Sequence, residues 1–423
     1  MSDGSVSATP QLLRRVNATA VLTCLRSSPA MTGTDLIRAT GLTRATIHGV
    51  CNDLISMGWI REVQPGRRPG EPLKGRPARL YEFDQRAGHV VGIDMGAHRV
   101  TALLADLRGH VLGRATMRFP GVEIAPEERI QVVDDTALRA LEQAGVDPSS
   151  ILAVGIGVAA PVDRAGRVIS GEGLWDLIDV DLPGTLQRRH GWTVLMDNDA
   201  NLAAVAERWR GVAGGVDHLA VVLAGERLGA GLIDSGRILR GHTGAAGEMG
   251  FLSMIDGVQG AEGLALLARS WGVEALTSGA DGELRSRTGG DTQAVTAELV
   301  FAAARAGDRA ALDILDRIAT RLARVIATLA SLLNPELVVL AGAVADASAA
   351  ILPLVERDLP GFTATPPRVA ASTLGADVVA LGGLRRALDR VEDTALELPP
   401  RRLTRSTRSA AGSGAAGEEV RVT

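Results

Sequence analysis

The sequence predicts an α/β protein made of a small N-terminal winged helix-turn-helix and a large α/β body. Three observations lead there. A short helix, a glycine turn and a second amphipathic helix stand within the first sixty residues. From residue 89 onward, buried-looking strands alternate with helical stretches. Finally, Leu195-Met196-Asp197-Asn198-Asp199-Ala200-Asn201-Leu202 reads as a buried strand running straight into a helix, with two carboxylates and two amides crowding the joint. Polar groups clustered at such a joint are costly in a core, so they are expected to face a cleft. Carboxylates and amides together accept from and donate to adjacent hydroxyls, which suits a polyol. A plainer reading of the same stretch is a helix N-cap formed by Asn198 or Asp199.

A chain of 423 residues should hold two or three domains. Aromatics make up only 3%, so its core must be aliphatic. The single lysine, Lys74, rules out lysine-based catalysis elsewhere. Two cysteines, Cys24 and Cys51, fit a reducing compartment and exclude a cysteine-ligated metal cluster. No signal peptide or membrane-length apolar run is present, so a cytoplasmic protein is expected.

In chain order, residues 1–10 read as a disordered tail and residues 11–86 as the head. Leu12, Leu13, Val16, Ala20, Val21 and Leu25 form an apolar stripe at helical spacing. Residues 32–40, the Gly41-Leu42 turn and a helix capped by Thr43 make the helix-turn-helix. The second helix should bury Ile47, Val50, Leu54 and Ile55, end at Gly58, and present Thr43, Arg44, Ala45, Thr46 and His48 to DNA. Ala45 could meet a thymine methyl. Residues 59–63 and 78–83 alternate like two strands of a wing. The loop between them carries Arg67, Arg68, Lys74, Gly75, Arg76 and Pro77. A narrow Gly-Arg-Pro tripeptide can lay its arginine into the minor groove of an A/T-rich tract. Residues 11–85 hold eleven Arg and Lys against six Asp and Glu, in a chain of net charge −4. A basic head on an acidic body is the footprint of DNA binding by one end only.

The body spans residues 87–392. Its first strand, 89–96, ends in an Asp-x-Gly turn and is followed by strands at 100–104 and 111–117. Such a start belongs to the actin-like, ribonuclease H-like sugar-kinase folds. A helix over 126–144, a strand over 151–158, the central strand–helix joint, and strands at 219–223 and 229–234 follow. Residues 295–333 are strongly helical, 337–341 form a strand, and a last helix opens near Ala380. The tail 393–423 is rich in Pro, Arg, Ser, Gly and Ala and is expected to be disordered.

The order of these segments resembles the ROK family (repressor, open reading frame, kinase) across roughly residues 12–390. The resemblance rests on Gly92-Ile93-Asp94-Met95-Gly96, Gly157-Val158-Ala159-Ala160-Pro161, Asp197-Asn198-Asp199-Ala200-Asn201, Gly244-Ala245-Ala246-Gly247-Glu248-Met249-Gly250 and Asn334-Pro335-Glu336-Leu337. It implies a two-lobed body whose last helix returns to the first lobe. The winged head looks like that of the family's repressors. The family's kinases carry Asp-x-Gly-Gly-Thr and Gly-Thr-Gly-x-Gly phosphate loops. Here those loops read Asp94-Met95-Gly96-Ala97-His98 and Gly225-Glu226-Arg227-Leu228-Gly229. The adenosine-side Gly-Gly-Gly turn is Ala341-Gly342-Ala343. A carboxylate in a phosphate loop repels phosphate, so no nucleotide cofactor and no catalytic residue are expected. Asp199, at the family's catalytic base, becomes a binding residue.

The family's zinc pattern is Gly-Glu-x-Gly-His followed by Cys-x-Cys-Gly-x-x-Gly-Cys. Here the histidine position is Phe251 and no cysteine follows up to Leu266, so no metal is expected and the loop should keep its path by packing alone. Of the family's sugar contacts, Asn198, Asp199 and Glu248 remain; Glu262 and His242 lie near enough in sequence to stand in for lost ones. The reading is therefore a repressor-type regulator of carbohydrate genes, binding operator DNA as a homodimer or dimer of dimers and answering to a sugar or sugar derivative. The alternatives are an active sugar kinase with a DNA-binding head, or a regulator that senses a protein partner instead of a small ligand.

Overall fold

The computed structural model describes residues 10–63, 79–169, 179–342 and 345–395. The head opens with helix α1 (Pro10–Arg26), which buries Ala18, Val21, Leu22 and Leu25. Only part of the expected stripe reaches the core, because Leu12, Leu13 and Val16 are exposed. A helix of 17 residues is about 25 Å long, so its first turns run past a small core. Strand β1 (Met31–Thr32) leads into α2 (Gly33–Thr40), where Thr32 and Asp35 form a reciprocal capping box. Gly41, at φ 70°, closes α2. The Thr43 hydroxyl accepts from the Thr46 amide and starts α3 (Arg44–Ser56), which buries Ile47, Val50, Cys51 and Leu54. Strands β2 (Ile60–Val63) and β3 (Leu80–Phe83) pair antiparallel, and β1 completes the sheet on the far side of β3. The wing residues Arg67, Arg68, Lys74, Gly75, Arg76 and Pro77 lie outside the described residues.

The first lobe is built from β4 (His89–Met95), β5 (Arg99–Asp106), β6 (Val111–Arg118), α4 (Pro126–Ala144), β7 (Ile151–Val158), α5 (Leu182–His190) and β8 (Thr193–Asn198). Helix α6 (Asp199–Arg210) carries the chain across to β9 (Leu219–Ala224), β10 (Leu228–Asp234) and β11 (Arg237–Ile238). The second lobe continues with α7 (Leu264–Thr277), α8 (Glu283–Thr288), α9 (Ala297–Arg305), α10 (Arg309–Leu333), β12 (Leu337–Ala341), α11 (Ala345–Asp358) and β13 (Arg368–Ala371). Helix α12 (Val378–Thr394) closes the fold. The long helical stretch expected at 295–333 is two helices, split where Gly307 takes φ 86° and Asp308 caps α10.

The two lobes repeat one plan. The first sheet runs β6-β5-β4-β7-β8 and the second β11-β10-β9-β12-β13. In each, three antiparallel strands are extended by two parallel ones. Helices α6 and α12 cross one another between the sheets, with α12 packed on β4 and β7 of the first lobe. The crossing is possible because glycines face backbone: a Cβ on Gly92 would lie 2.0 Å from the Ala380 carbonyl oxygen, and one on Gly382 would lie 2.0 Å from that of Leu202.

The head shares its core with the first lobe. Leu22, Leu25, Trp59 and Phe83 pack with Val90, Leu103, Leu107, Leu384, Leu388 and Val391. The Trp59 indole donates to the Ala395 carbonyl at 2.7 Å, and Arg108 donates to the carbonyls of Leu25, Arg26 and Ser28 at the end of α1. Pro10 thus opens a helix where a tail was expected, and the last helix overruns the boundary placed at 392. Residues 1–9 and 396–423 lie outside the described residues. No described helix is long and apolar enough to cross a membrane.

Candidate functional site

The joint between β8 and α6 sorts its four polar side chains into different jobs. Asp197 is buried and accepts from the Asn198 amide at 2.9 Å, the Asn201 side chain at 3.2 Å and Arg240 at 2.5 Å. Arg240 follows β11, so that last contact ties the second lobe to the first. Asn198 caps α6 through the Asn201 amide at 3.1 Å and donates to the Ala160 carbonyl at 3.2 Å. The plainer N-cap reading is therefore right for Asn198, although its oxygen keeps a lone pair. Asn201 is sealed in the core.

Asp199 differs from these three. Beyond its neighbour's amide, Ala200 at 2.7 Å, its carboxylate has no ion-pair partner among the described residues. Removal from water pushes its pKa up to about 7, and the negative charges of Asp94 and Glu248 add to that. Desolvation also raises Asp94 to about 6. Glu248 is raised by burial and partly relieved by the positive charge of Arg227. Three segments distant in sequence thus bring Asp94, Asp199 and Glu248 together between the lobes. Such a set of half-buried acceptors fits vicinal hydroxyls. Asp94, placed in the sequence only at a turn, belongs to this group.

The second altered phosphate loop carries its acidic side chain in an ion pair. Glu226 is held by both Nη atoms of Arg269, at 2.9 and 2.8 Å. Those bonds hold its pKa below the usual range, with a further contribution from His98 in the other loop. The carboxylate is therefore neutralised by the protein rather than left bare. Ala341 is buried at the end of β12, and Ala343 lies outside the described residues. Phe251 packs against the second lobe's core. The Glu262 carboxylate receives Arg321 at 3.0 Å and lines a groove with Trp271 and Arg317. His242 is exposed.

The residues around Phe251 do not fit zinc. The segment after it contains neither cysteine nor histidine. No group of three or more His, Cys, Asp or Glu suited to a metal occurs among the described residues. A cation is already there: Arg321, 6% exposed, donates to the carbonyls of Val258 at 2.6 Å, Gly260 at 2.5 Å and Glu262 at 2.5 Å. The loop is held by a guanidinium and not by packing alone. Nothing in the local sequence points to Arg321, which lies some sixty residues away.

On the head, α3 exposes Arg44, Ala45 and His48, while Thr43 and Thr46 share a hydroxyl hydrogen bond of 2.9 Å. Asn52, one turn beyond His48 and 3.4 Å from its ring, is exposed on the same face and was not singled out in the sequence. Spacing of four residues puts it on that face, and its amide suits adenine. Arg44→Ala is expected to weaken operator binding about 10- to 100-fold, the worth of a base-edge contact. Binding isotherms on operator and scrambled duplexes check this. Equal losses on both would leave only a phosphate contact.

Comparison with known proteins finds two family models in this chain. A family model described as ROK family matches residues 90–386, and one described as IclR helix-turn-helix domain matches residues 16–64. A xylose repressor from Caldicellulosiruptor bescii is 26% identical over 343 residues, covering 78% of this chain and 83% of that protein. A glucokinase from Thermotoga maritima is 28% identical over 322 residues, covering 71% of this chain and 98% of that protein. Among solved structures, a ROK family transcriptional regulator described as a homologue of the E. coli MLC protein superposes with a TM-score of 0.73. It covers 92% of this chain and 99% of that one at 20% identity, which is a likeness of fold.

Proposed function

The chain belongs to the ROK family, and we propose that it is a sugar-responsive, DNA-binding transcriptional repressor without kinase activity. The observation that carries this reading is the pairing of an intact, exposed recognition helix with a second phosphate loop whose Glu226 is engaged by Arg269. The family model, the helix-turn-helix match and the likeness to a xylose repressor support it.

Asp199, Glu248 and Asn198 would receive the sugar's hydroxyls, with Asp94 beside them. Ligand drawn between the lobes would shift the population toward a closed body. The head and first lobe share one core, so any movement of α12 reaches α1 directly. One helix-turn-helix rarely gives enough specificity, and a homodimer on a pseudo-palindrome follows from that. Thr43, Arg44, Ala45, Thr46 and His48 would enter the major groove, and the wing's Arg76 the minor groove.

A promoter fragment from its own locus is the test. Retardation at low salt, steep loss of affinity with added salt, release by one monosaccharide of a panel led by D-xylose and D-glucose, and no sugar-dependent ATP consumption are expected. Unshifted DNA with sugar-dependent ATP consumption would overturn the proposal. A kinase with a DNA-binding head is favoured by one feature, the retained Asp199 at the position of the family's catalytic base. Phosphoryl transfer that disappears in Asp199→Asn would establish that second reading.

A further inference from the structure

We propose that Arg321 is a positioning residue for the cleft: from the middle of α10 it fixes the loop at 258–263, which in turn fixes the loop at 225–228 and the charge of Arg227 beside Glu248. This deepens the effector-site reading and rests on it for its functional meaning, though not for its test.

The links can be followed atom by atom. The guanidinium makes four hydrogen bonds to one short segment: Nε to the Val258 carbonyl, Nη1 to the Glu262 carbonyl, and Nη2 to the Gly260 carbonyl and the Glu262 carboxylate. That segment is irregular, with Gly257 at φ 72° and Gln259 at φ 68°, so its carbonyls need partners from elsewhere. A planar fork spreads its donors over three nitrogens and so reaches carbonyls several residues apart, whereas an ammonium's three donors radiate from a single nitrogen. The segment is then zipped to the neighbouring loop. Leu228 donates to the Ala261 carbonyl at 2.7 Å, Gly263 to that of Glu226 at 2.8 Å and Ala265 to that of Gly225 at 3.0 Å. Arg227 and Glu262 form a β-bridge. Contact is so close that a Cβ on Gly263 would sit 2.1 Å from the Gly225 oxygen. The second loop carries Glu226, which pairs with Arg269, and Arg227, whose charge relieves Glu248. A buried cation on α10 thereby sets the electrostatics of the cleft without touching a ligand. Where the family's pattern places metal ligands, this chain uses a side chain that cannot be removed by a chelator.

Hydrogen–deuterium exchange on the full chain, with neither sugar nor DNA, tests this. In Arg321→Met, the amides of Leu228, Gly263 and Ala265 should exchange roughly tenfold faster or more, while α1 to α3 keep wild-type rates. Arg321→Lys should restore little, because it returns the charge and not the fork. In a carbon-13 titration assigned with Glu248→Gln, the Glu248 carboxyl should titrate at higher pH in Arg321→Met than in wild type. Faster exchange confined to 258–262, with Leu228, Gly263 and Ala265 unchanged and Glu248 titrating as in wild type, would overturn the proposal. If Arg321→Met does not fold, Gly263→Ala interrupts the same chain with Arg321 intact. Faster Leu228 exchange there supports the link and an unchanged rate sinks it. A failure to bind DNA or sugar would touch the functional proposal alone.

Discussion

Asp199→Asn is expected to weaken the sugar response while leaving operator binding intact, and to raise the thermal stability of the protein at alkaline pH. The first half follows from hydrogen bonding. A charged acceptor contributes about 1.5–3 kcal/mol to each bond it receives, so the sugar concentration needed for half release should rise about 10- to 100-fold. Operator binding should survive because Asp199 lies far along the fold from α3 and takes no part in the head's core. The second half follows from proton linkage. The folded carboxyl titrates near 7, against 3.8 in an exposed chain. Below 3.8 both states hold the proton and the site costs nothing. Between 3.8 and about 7 the folded state keeps a proton that the unfolded state has released, so stability falls as pH rises; above 7 the penalty is complete. Asparagine never ionises and escapes it. The site is half-buried and shares its repulsion with Asp94, so the full shift is discounted to about 1–2 kcal/mol at pH 8. Melting curves at pH 4 and pH 8 check the sign: the variant's Tm should match wild type at pH 4 and exceed it at pH 8. A lower Tm at pH 8 would mean that the carboxylate is stabilised by a partner and not stranded.

Most of the fold could be read from the chain because its signals are local. Thr43 announces the cap of the recognition helix, Gly41 its preceding turn, and the run 89–96 a strand buried on both faces. Those signals depend on neighbours three or four residues away, which a sequence displays. What escaped depends on distant partners. That Leu12, Leu13 and Val16 stay exposed while Leu22 is buried is decided by where the head meets α12, which periodicity within α1 cannot report. Gly307 divides two helices whose apolar pattern runs on unbroken, and composition alone does not show that it takes a left-handed turn. The carboxylates of the site were visible singly. The family resemblance paired Asp199 with Glu248 but not with Asp94, which joins them only through the sheet order. Arg321 left no trace at all: its work is done on carbonyl oxygens, and every residue has one.

Gly382→Ala should be among the most damaging single changes in the body, and it tests how the cleft could speak to the head. Gly382 lies in α12 where that helix crosses α6. Its absent Cβ would stand 2.0 Å from the Leu202 carbonyl oxygen and 2.4 Å from the carbonyl carbon, both of them backbone atoms that cannot rotate aside. Gly383 meets the Gly155 oxygen on the sheet side in the same way, so α12 cannot retreat from the methyl. The strain must move α6 by about 1 Å, and overpacking of this kind costs about 1–3 kcal/mol or more. A Tm lower by roughly 4–10 °C is expected. Gly361→Ala, with nothing near its Cβ, should melt like wild type. Leu202 is three residues from Asp199, so the displaced segment is the one that carries the cleft carboxylate. At the far end of α12, Glu392 pairs with Arg26 of α1, and Ala395 receives Trp59. The two ends of one helix therefore touch the cleft's first helix and the head's first helix, and the contacts are rigid because glycine leaves no compressible side chain between them. If this is the route, a Gly382→Ala protein assayed well below its Tm should bind operator but release it poorly when sugar is added. Retained Tm together with an unchanged release curve would show that α6 and α12 slide freely, and the coupling would have to run through another part of the fold.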